Sequence, residues 1–330
     1  MIFDKYLYSK DKILNALYEE NQIFLLEALQ NDKIDKNLKF DWGEPLLNQV
    51  LKYGYGLVFK KMIEKNVDVN QADSEGVTPV MVVGERNKHH FLDDSALNRL
   101  DQQNEFFFTL LKQAGADFNR PDNQGVVPLE RLINQSLPEG WRGVVPFGYI
   151  DDFDTYQSSA ELLLKFGADI NYKNEKGQTP LFAAVSQRSL KAVTFLIQKG
   201  AKIDEQDEKG QTALMKAVQD DSLKDAKFKN GFPVCVSNLL EEDERTIKNV
   251  IERRGLSIID YLLSKTSDFC LKDKRGDDIY SLAMKSSNHA VAKLILNSLK
   301  IKMRNQKKQG GPFLGAQHLK FLNQKERGYA

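Results

Sequence analysis

The feature that most constrains this chain is a pair of short phrases that recur together at a fixed distance. The first phrase occurs four times: Gly76–Val80, Gly125–Leu129, Gly177–Leu181 and Gly210–Leu214. The second occurs just before each: Glu64–Asn70, Lys112–Asn119, Lys165–Asn171 and Gln198–Asp204. An interval of 13 residues then separates a glycine-like from a proline-like position in five places: Asn66–Pro79, Gly115–Pro128, Gly167–Pro180, Gly200–Ala213 and Thr266–Ile279. Equal intervals of this kind indicate an internal structural repeat.

One repeat is uninterrupted and shows what each segment does. Its period is 33 residues, measured from Pro180 to the equivalent position Ala213 in the next repeat. Its first segment, 180–186, predicts a short helix that begins at a proline and is capped by the preceding threonine. Its second segment, 190–198, has a helical apolar stripe and ends just before Gly200. An alternating stretch and a glycine turn follow, and they predict a β-hairpin between repeats.

A 33-residue repeat with a turn, two helices and a T-P-L phrase resembles the ankyrin repeat. The resemblance covers about residues 10–297 in about seven repeats, with a degenerate first repeat and a weakened seventh, Lys274–Leu296. It implies an all-α fold, a helical repeat solenoid with short β-hairpin turns. The histidine that usually follows T-P-L is replaced throughout, so we expect more apolar packing between repeats; the replacements are Leu47, Met81, Glu130, Phe182, Met215 and Ser281.

Three repeats carry extra residues between their two helices, near 85–105, 134–156 and 220–254. The first and third insertions keep helical apolar spacing and predict lengthened helices. The second is rich in Pro, Gly and aromatic residues and predicts an ordered loop.

The sequence changes character after Asn297. Residues 298–330 carry a net charge of +7 and are expected to form a basic, partly flexible C-terminal tail, outside an ankyrin repeat domain that spans 1–297.

Composition and missing motifs exclude several function classes. The chain has 47 Lys and Arg against 46 Asp and Glu, for a net charge of +1, so it is not a polycationic coat for nucleic acid or membrane. We expect no nucleic-acid partner beyond a weak contact by the basic tail. No apolar run approaches the ~20 residues that span a bilayer. Two cysteines, Cys235 and Cys270, without metal-ligand spacing suit a reducing, cytoplasmic setting. No hydrolase, metalloprotease or nucleotide-binding motif is present, so we expect a monomeric non-enzyme without cofactor or metal.

The resemblance implies a protein–protein interaction module that binds, scaffolds or sequesters a protein partner through its concave surface or its inserted rim. One alternative is a bacterial effector delivered into a eukaryotic host cell by a route that needs no Sec signal. The other is an enzyme with a site built on the insertions. The contact pattern of the family selects these partner-binding positions: Ser74, Glu75, Glu85, Arg86, Asn123, Gln124, Asn134, Gln135, Glu175, Lys176, Gln178, Ser186, Gln187, Glu208, Lys209, Gln211, Gln219 and Asp220. Trp141, in the second insertion, is a candidate aromatic anchor.

Overall fold

The computed structural model describes residues 8–87, 94–134, 153–219, 228–229, 232–233, 257–286, 291–292 and 294–301. These residues form two compact units, which we describe separately. The N-terminal unit consists of the described residues within 1–132 and 154–169. The C-terminal unit consists of those within 133–153 and 170–330.

Helices in antiparallel pairs build the N-terminal unit. Their bounds are α1 Lys10–Tyr18, α2 Gln22–Gln30, α3 Leu46–Tyr53, α4 Gly56–Glu64, α5 Pro79–Gly84, α6 Asp94–Gln113, α7 Pro128–Asn134 and α8 Phe153–Phe166, with a 3₁₀ turn at Glu85–Asn87. Helices α7 and α8 each have residues in both units, at their last and first turns respectively.

The C-terminal unit repeats the same plan. Its helices are α9 Pro180–Ser186, α10 Leu190–Gln198, α11 Ala213–Val218, α12 over residues 257–265, α13 Ile279–Lys285 and α14 over 291–292 and 294–301. Two two-residue strands, β1 Phe228–Lys229 and β2 Phe232–Pro233, pair antiparallel within the third insertion. In both units the fold is all-α, as the sequence predicts, and α9 and α10 have the predicted bounds.

Side-chain caps fix where the helices begin. The hydroxyl of Thr78 accepts a hydrogen bond from the N–H of Met81 (3.4 Å), and Thr212 does the same for Met215 (3.2 Å). Ser189 accepts from the N–H of Ala192 (3.0 Å) at the start of α10. Each cap satisfies an N–H that has no partner inside its helix, so these helices start at a defined residue. The predicted side-chain cap of α9 is wrong: Thr179 occupies the N-cap position, but its hydroxyl makes no capping hydrogen bond.

An asparagine in each of several repeats joins the end of one repeat to the next. Asn70 donates to the carbonyl of Gly115 (3.2 Å) and accepts from the N–H of Asp117 (2.8 Å). Asn119 makes the same pair of bonds to Gly167 (3.1 Å) and Asp169 (2.6 Å). Because an amide side chain carries both a donor and an acceptor, one residue fixes two backbone groups of the neighbouring repeat.

The predicted apolar packing at the missing histidine position is present. Leu47, Met81, Phe182 and Met215 are all buried, with no more than 3% of any of them exposed. Glu130 is also buried, and Ser281 is half-buried. Apolar side chains at this position add buried surface to each repeat, which is the main favourable term in folding.

The insertions lie between the first and second helices of their repeats. Helix α6, with 20 residues, includes the second half of the first insertion. The second insertion lies largely outside the described residues, as do the helical positions predicted near 247 and 251.

Helix α14 continues past the predicted boundary at 297, because Leu299 is buried and residue 301 is still helical. Among the described residues, no helix combines the length and the apolar content needed to cross a membrane.

Candidate protein-binding surface

Five of the described hairpins are each shaped by one aspartate or asparagine. Asp73 accepts hydrogen bonds through Oδ1 from the N–H groups of Glu75 and Val77, both at 2.8 Å. The same two bonds recur in four further hairpins, at Asp122, Asn174, Asp207 and Asp273. Such a side chain mimics a turn of backbone and holds the loop closed. Sequence reasoning relied on the glycine and missed this residue, although an Asp or Asn three positions before the glycine was the available signal.

Neighbouring hairpins are hydrogen-bonded to each other at their tips. We call the two residues before each hairpin glycine the tip residues. In the N-terminal unit, the N–H of Asn123 donates to the carbonyl of Glu75 (3.0 Å). In the C-terminal unit, Glu208 donates to Lys176 (3.0 Å) and Lys274 donates to Lys209 (2.9 Å). These bonds place one pair of tip residues beside the next, so each unit presents a regular row of side chains.

The close approach of two hairpins requires glycine. Gly76 has a φ of +86°, in the left-handed region. A Cβ at this position would lie 2.4 Å from the backbone nitrogen of Asn123, which is closer than atoms can pack. Glycine at 76 therefore serves both the turn and the contact between hairpins.

Nine of the sixteen predicted partner-binding residues that the structure describes are exposed. The exposed ones are Ser74, Glu75, Asn123, Gln124, Glu175, Lys176, Ser186, Glu208 and Lys209. The side chains of Glu175, Lys176, Glu208 and Lys209 make no hydrogen bond or ion pair with any other described residue. Exposed, unpaired tip residues of both signs are available to a partner without disturbing the fold.

Other predicted residues are half-buried on the first helices and below the tips. Gln187 donates to the side-chain oxygen of Asn134 (3.3 Å), so this pair helps to join two repeats of the C-terminal unit. The backbone carbonyls of Gln178 and Gln211 close their hairpins by accepting from Asn174 and Asp207. Gln219 is half-buried. Gln135, Trp141 and Asp220 lie outside the described residues.

Two predicted partner-binding residues are directed into the N-terminal unit instead. Arg86 donates to Asn104 (3.1 Å) and Gln103 (2.6 Å), and its guanidinium lies 4.8 Å from the centre of the Phe107 ring. Burial lowers the pKa of Arg86 to about 10. Glu85 pairs with Arg131. The sequence pattern placed both at the end of a first helix. Arg86 is held by side chains of helix α6 and Glu85 by Arg131 on α7, so neither belongs to the free surface.

Arg131 is the centre of a charged network in the same unit. It pairs with Glu85 and, at 3.0 Å, with Asp122, the residue that shapes the third hairpin. Burial acts to lower the pKa of Arg131, but attraction and hydrogen bonding from Glu85 and Asp122 outweigh it, and the pKa is raised. The network ties a hairpin to two first helices, so it positions the surface and does not belong to it.

Four exposed tip residues were not predicted: Asp41, Trp42, Lys274 and Arg275. Trp42 is 49% exposed, stacks on Phe40 with ring centres 4.7 Å apart and donates to Glu44 (3.2 Å). Lys274 and Arg275 occupy the tip of the last described hairpin and are both exposed. The repeat phrase is degenerate at both ends of the array, and this degeneracy hid the equivalence of these residues to the other tips.

Two hollows that the described residues form at the base of the hairpins are open and polar, unlike the enclosed apolar pockets that hold small molecules. Their volumes are about 390 and 560 Å³. Across the described part of the chain, no three His, Cys, Asp or Glu residues are grouped as a metal site would need. Burial and two nearby aspartates raise the pKa of Cys270 to about 11, which keeps its thiol protonated at neutral pH.

Comparison with known proteins agrees with the repeat geometry. Residues 153–228 match the family model described as ankyrin repeats (3 copies). The crystal structure of the ankyrin repeat domain of Bcl-3, a member of the IkappaB protein family, is similar with a TM-score of 0.56 and 17% identity, over 84% of this chain and 96% of that one. No curated protein matches the chain. Residues 153–228 are therefore ankyrin repeats, and the chain has the ankyrin repeat fold.

Proposed function

We propose that this protein is a non-catalytic binding module that recognises a protein partner through its rows of hairpin tips. Ankyrin repeats generally act as protein–protein interaction modules, and the tips of this chain have the properties of such a surface. The observation that carries the proposal is the set of exposed charges at Glu175, Lys176, Glu208 and Lys209, which make no ion pair with any other described residue and are held in register by hydrogen bonds between hairpins.

The charge pattern along the C-terminal unit supports selective binding. Its three described tips read Glu–Lys, Glu–Lys and Lys–Arg, so a partner would meet alternating signs and then a positive end. Mixed charges at a surface of this kind set specificity and association rate more than total affinity. In the N-terminal unit, Trp42 offers a rigid aromatic side chain of the type that dominates binding energy at interfaces.

Site-specific photocrosslinking of the full chain tests the proposal. A benzophenone amino acid is placed at Lys176 or Lys209, on the tips, and at Gln198, exposed at the end of α10, as the matched control. We expect crosslinks to one protein partner from both tip positions and none from position 198. Equal crosslinking from all three positions would contradict a tip-directed surface.

A further inference from the structure

A second exposed surface lies in the N-terminal unit, away from the hairpin tips. Five large apolar side chains there are between 39% and 71% exposed: Tyr18, Ile23, Tyr53, Leu57 and Phe106. Tyr18 and Tyr53 are the last residues of the first helices α1 and α3. The other three lie on the outer faces of the second helices α2, α4 and α6. We call these five residues the apolar row.

The apolar row is regular because its members share repeat positions. Five of the second helices are followed by a residue in the left-handed conformation: Asp32, Asn66 and Gly115 in the first three repeats, Gly167 and Gly200 in the next two. The residues nine positions earlier are Ile23, Leu57 and Phe106 in the first three repeats, and Ser158 and Lys191 in the next two. The position is apolar in three successive repeats and polar in the next two, so the exposure is confined to one part of the array.

Ring contacts within the row hold it in place. The rings of Tyr18 and Tyr53 meet edge to face with centres 6.3 Å apart. Phe106 lies beside Gly56, where an added Cβ would be 3.6 Å from its ring, and it packs on the buried Phe107 at 5.8 Å. Because these ring contacts are already present in the free protein, the side chains of the row would lose little conformational entropy when a partner binds.

The size of the row argues against a second copy of this chain as the occupant. If an exposed side chain of this type offers about 200 Å², the row presents roughly 500–600 Å², at the upper end for a monomeric protein. A stable dimer needs about 800 Å² from each partner.

The charges around the row favour a basic partner. Glu19 and Glu20 directly follow Tyr18, and Glu27 stands one turn after Ile23 on α2. These three carboxylates make no ion pair with any described residue. The exposed basic residues Lys60 and Arg99, which also lack an ion pair with any described residue, lie on α4 and α6 rather than on α1 or α2. A partner with positive charge at the end that lies over α1 and α2 would neutralise them.

The spacing of the row indicates the partner's conformation. Packed helices lie about 8–10 Å apart, so equivalent side chains of successive repeats repeat at about that distance. Seven residues of an α-helix advance about 10.5 Å. We propose that the apolar row is a docking surface for a basic amphipathic α-helix, whose apolar side chains, one every two turns, contact successive repeats.

The proposal is independent of the hairpin surface and is tested separately on the full chain. The probe is a fluorescently labelled peptide of about 18 residues, made of Leu, Lys and Ala with apolar residues at helical spacing. An isomer of the same composition with the leucines at alternate positions is its control. Fluorescence anisotropy should show the helical peptide binding at least about tenfold more tightly than the isomer. Circular dichroism should show that it becomes helical when it binds.

Variants of the protein then locate the site. Leu57→Ser with Phe106→Ser should weaken peptide binding at least about tenfold, whereas Ile301→Ser, which removes an equally exposed apolar side chain elsewhere, should leave it unchanged. Glu19→Gln with Glu20→Gln should weaken it mainly at low salt.

Three outcomes would overturn the proposal: equal affinity of the protein for both peptides, peptide binding that the Leu57 and Phe106 changes do not affect, or dimerisation of the protein that those changes abolish. Replacing the four charged tip residues by alanine should not alter peptide binding, so failure of one surface is distinguishable from failure of the other.

Discussion

Asp204 accepts hydrogen bonds from the hydroxyl of Thr266 and, at 2.9 Å, from the backbone N–H of Ser267. Elsewhere in the chain, the equivalent contact joins an asparagine to a glycine, as in Asn70 with Gly115 and Asn119 with Gly167. Threonine brings a hydroxyl donor that glycine lacks, and Ser267 adds a second hydroxyl donor (2.6 Å). A carboxylate, which only accepts, is the side chain that this group of donors requires.

Asp204 and Thr266 replace the asparagine and glycine that form this contact in other repeats, so substitutions at the two positions should have coupled effects on stability. Asp204→Asn should lower the free energy of unfolding by about 1–3 kcal/mol, because an amide N–H would face donors. Thr266→Gly should then cost less in the Asp204→Asn variant than in the wild type, since the double change restores the asparagine–glycine arrangement. Urea denaturation of the wild type, the two single variants and the double variant measures this double-mutant cycle. Asp260→Asn, on an exposed face of α12, is the control; additive effects at 204 and 266 would contradict the account.

The contact between hairpins predicts a difference between two glycines. Gly76→Ala and Gly125→Ala both place a Cβ at a left-handed φ, +86° and +78°. A Cβ at 76 would also collide with the backbone of Asn123, whereas a Cβ at 125 meets nothing within 4 Å. We therefore expect Gly76→Ala to destabilise the protein by at least about 1 kcal/mol more than Gly125→Ala. Thermal unfolding of the two variants makes the comparison, and equal shifts would show that the hairpins are not in close contact.

The pH dependence of stability should reflect Glu205. Hydrogen bonds from Lys173 and Lys202, together with their charges, lower the pKa of Glu205 from its ordinary value of 4.5. A lowered pKa in the folded state stabilises the protein above the unfolded-state pKa, and this contribution is lost as pH falls. Glu205→Gln should therefore be less stable than the wild type near neutral pH, and the difference should shrink toward about pH 3. Glu208→Gln, at an exposed and unpaired tip, should show no such trend in denaturation curves.

The packing between helices predicts a large effect at Leu196. This side chain is fully buried on α10, so Leu196→Ala should cost about 2–5 kcal/mol of unfolding free energy. Leu214→Ala, on α11 with 3% exposure, should cost a similar amount. Leu57→Ala, at an exposed site, should cost far less. Chemical denaturation of the three variants provides the test, and a shift at Leu196 no larger than at Leu57 would mean that the repeat register is misplaced.

The sequence predicts the repeat, its helices and its tips because these depend on local signals. Proline and threonine start the helices, glycine ends them, and a constant interval fixes the hairpins, so 180–186 and 190–198 were predicted to the residue. Contacts between distant segments are not visible in such signals. Arg86 is held by Gln103 and Asn104, and the length of the intervening insertion conceals that contact. The sequence also did not predict the apolar row. The exposure of Ile23, Leu57 and Phe106 depends on whether distant segments pack over them, and local signals do not show this.

Recognition of the partner by the hairpin tips can be tested with one set of substitutions. Glu175, Lys176, Glu208 and Lys209 are replaced together by alanine in the full chain, and capture of the natural partner and the melting temperature are compared with the wild type. Because these four side chains have no partner among the described residues, we predict that capture is lost while the melting temperature is nearly unchanged. A deletion within the third insertion, 221–240, serves as the comparison. If the quadruple variant still captures its partner fully and the deletion does not, the tips are not the binding surface.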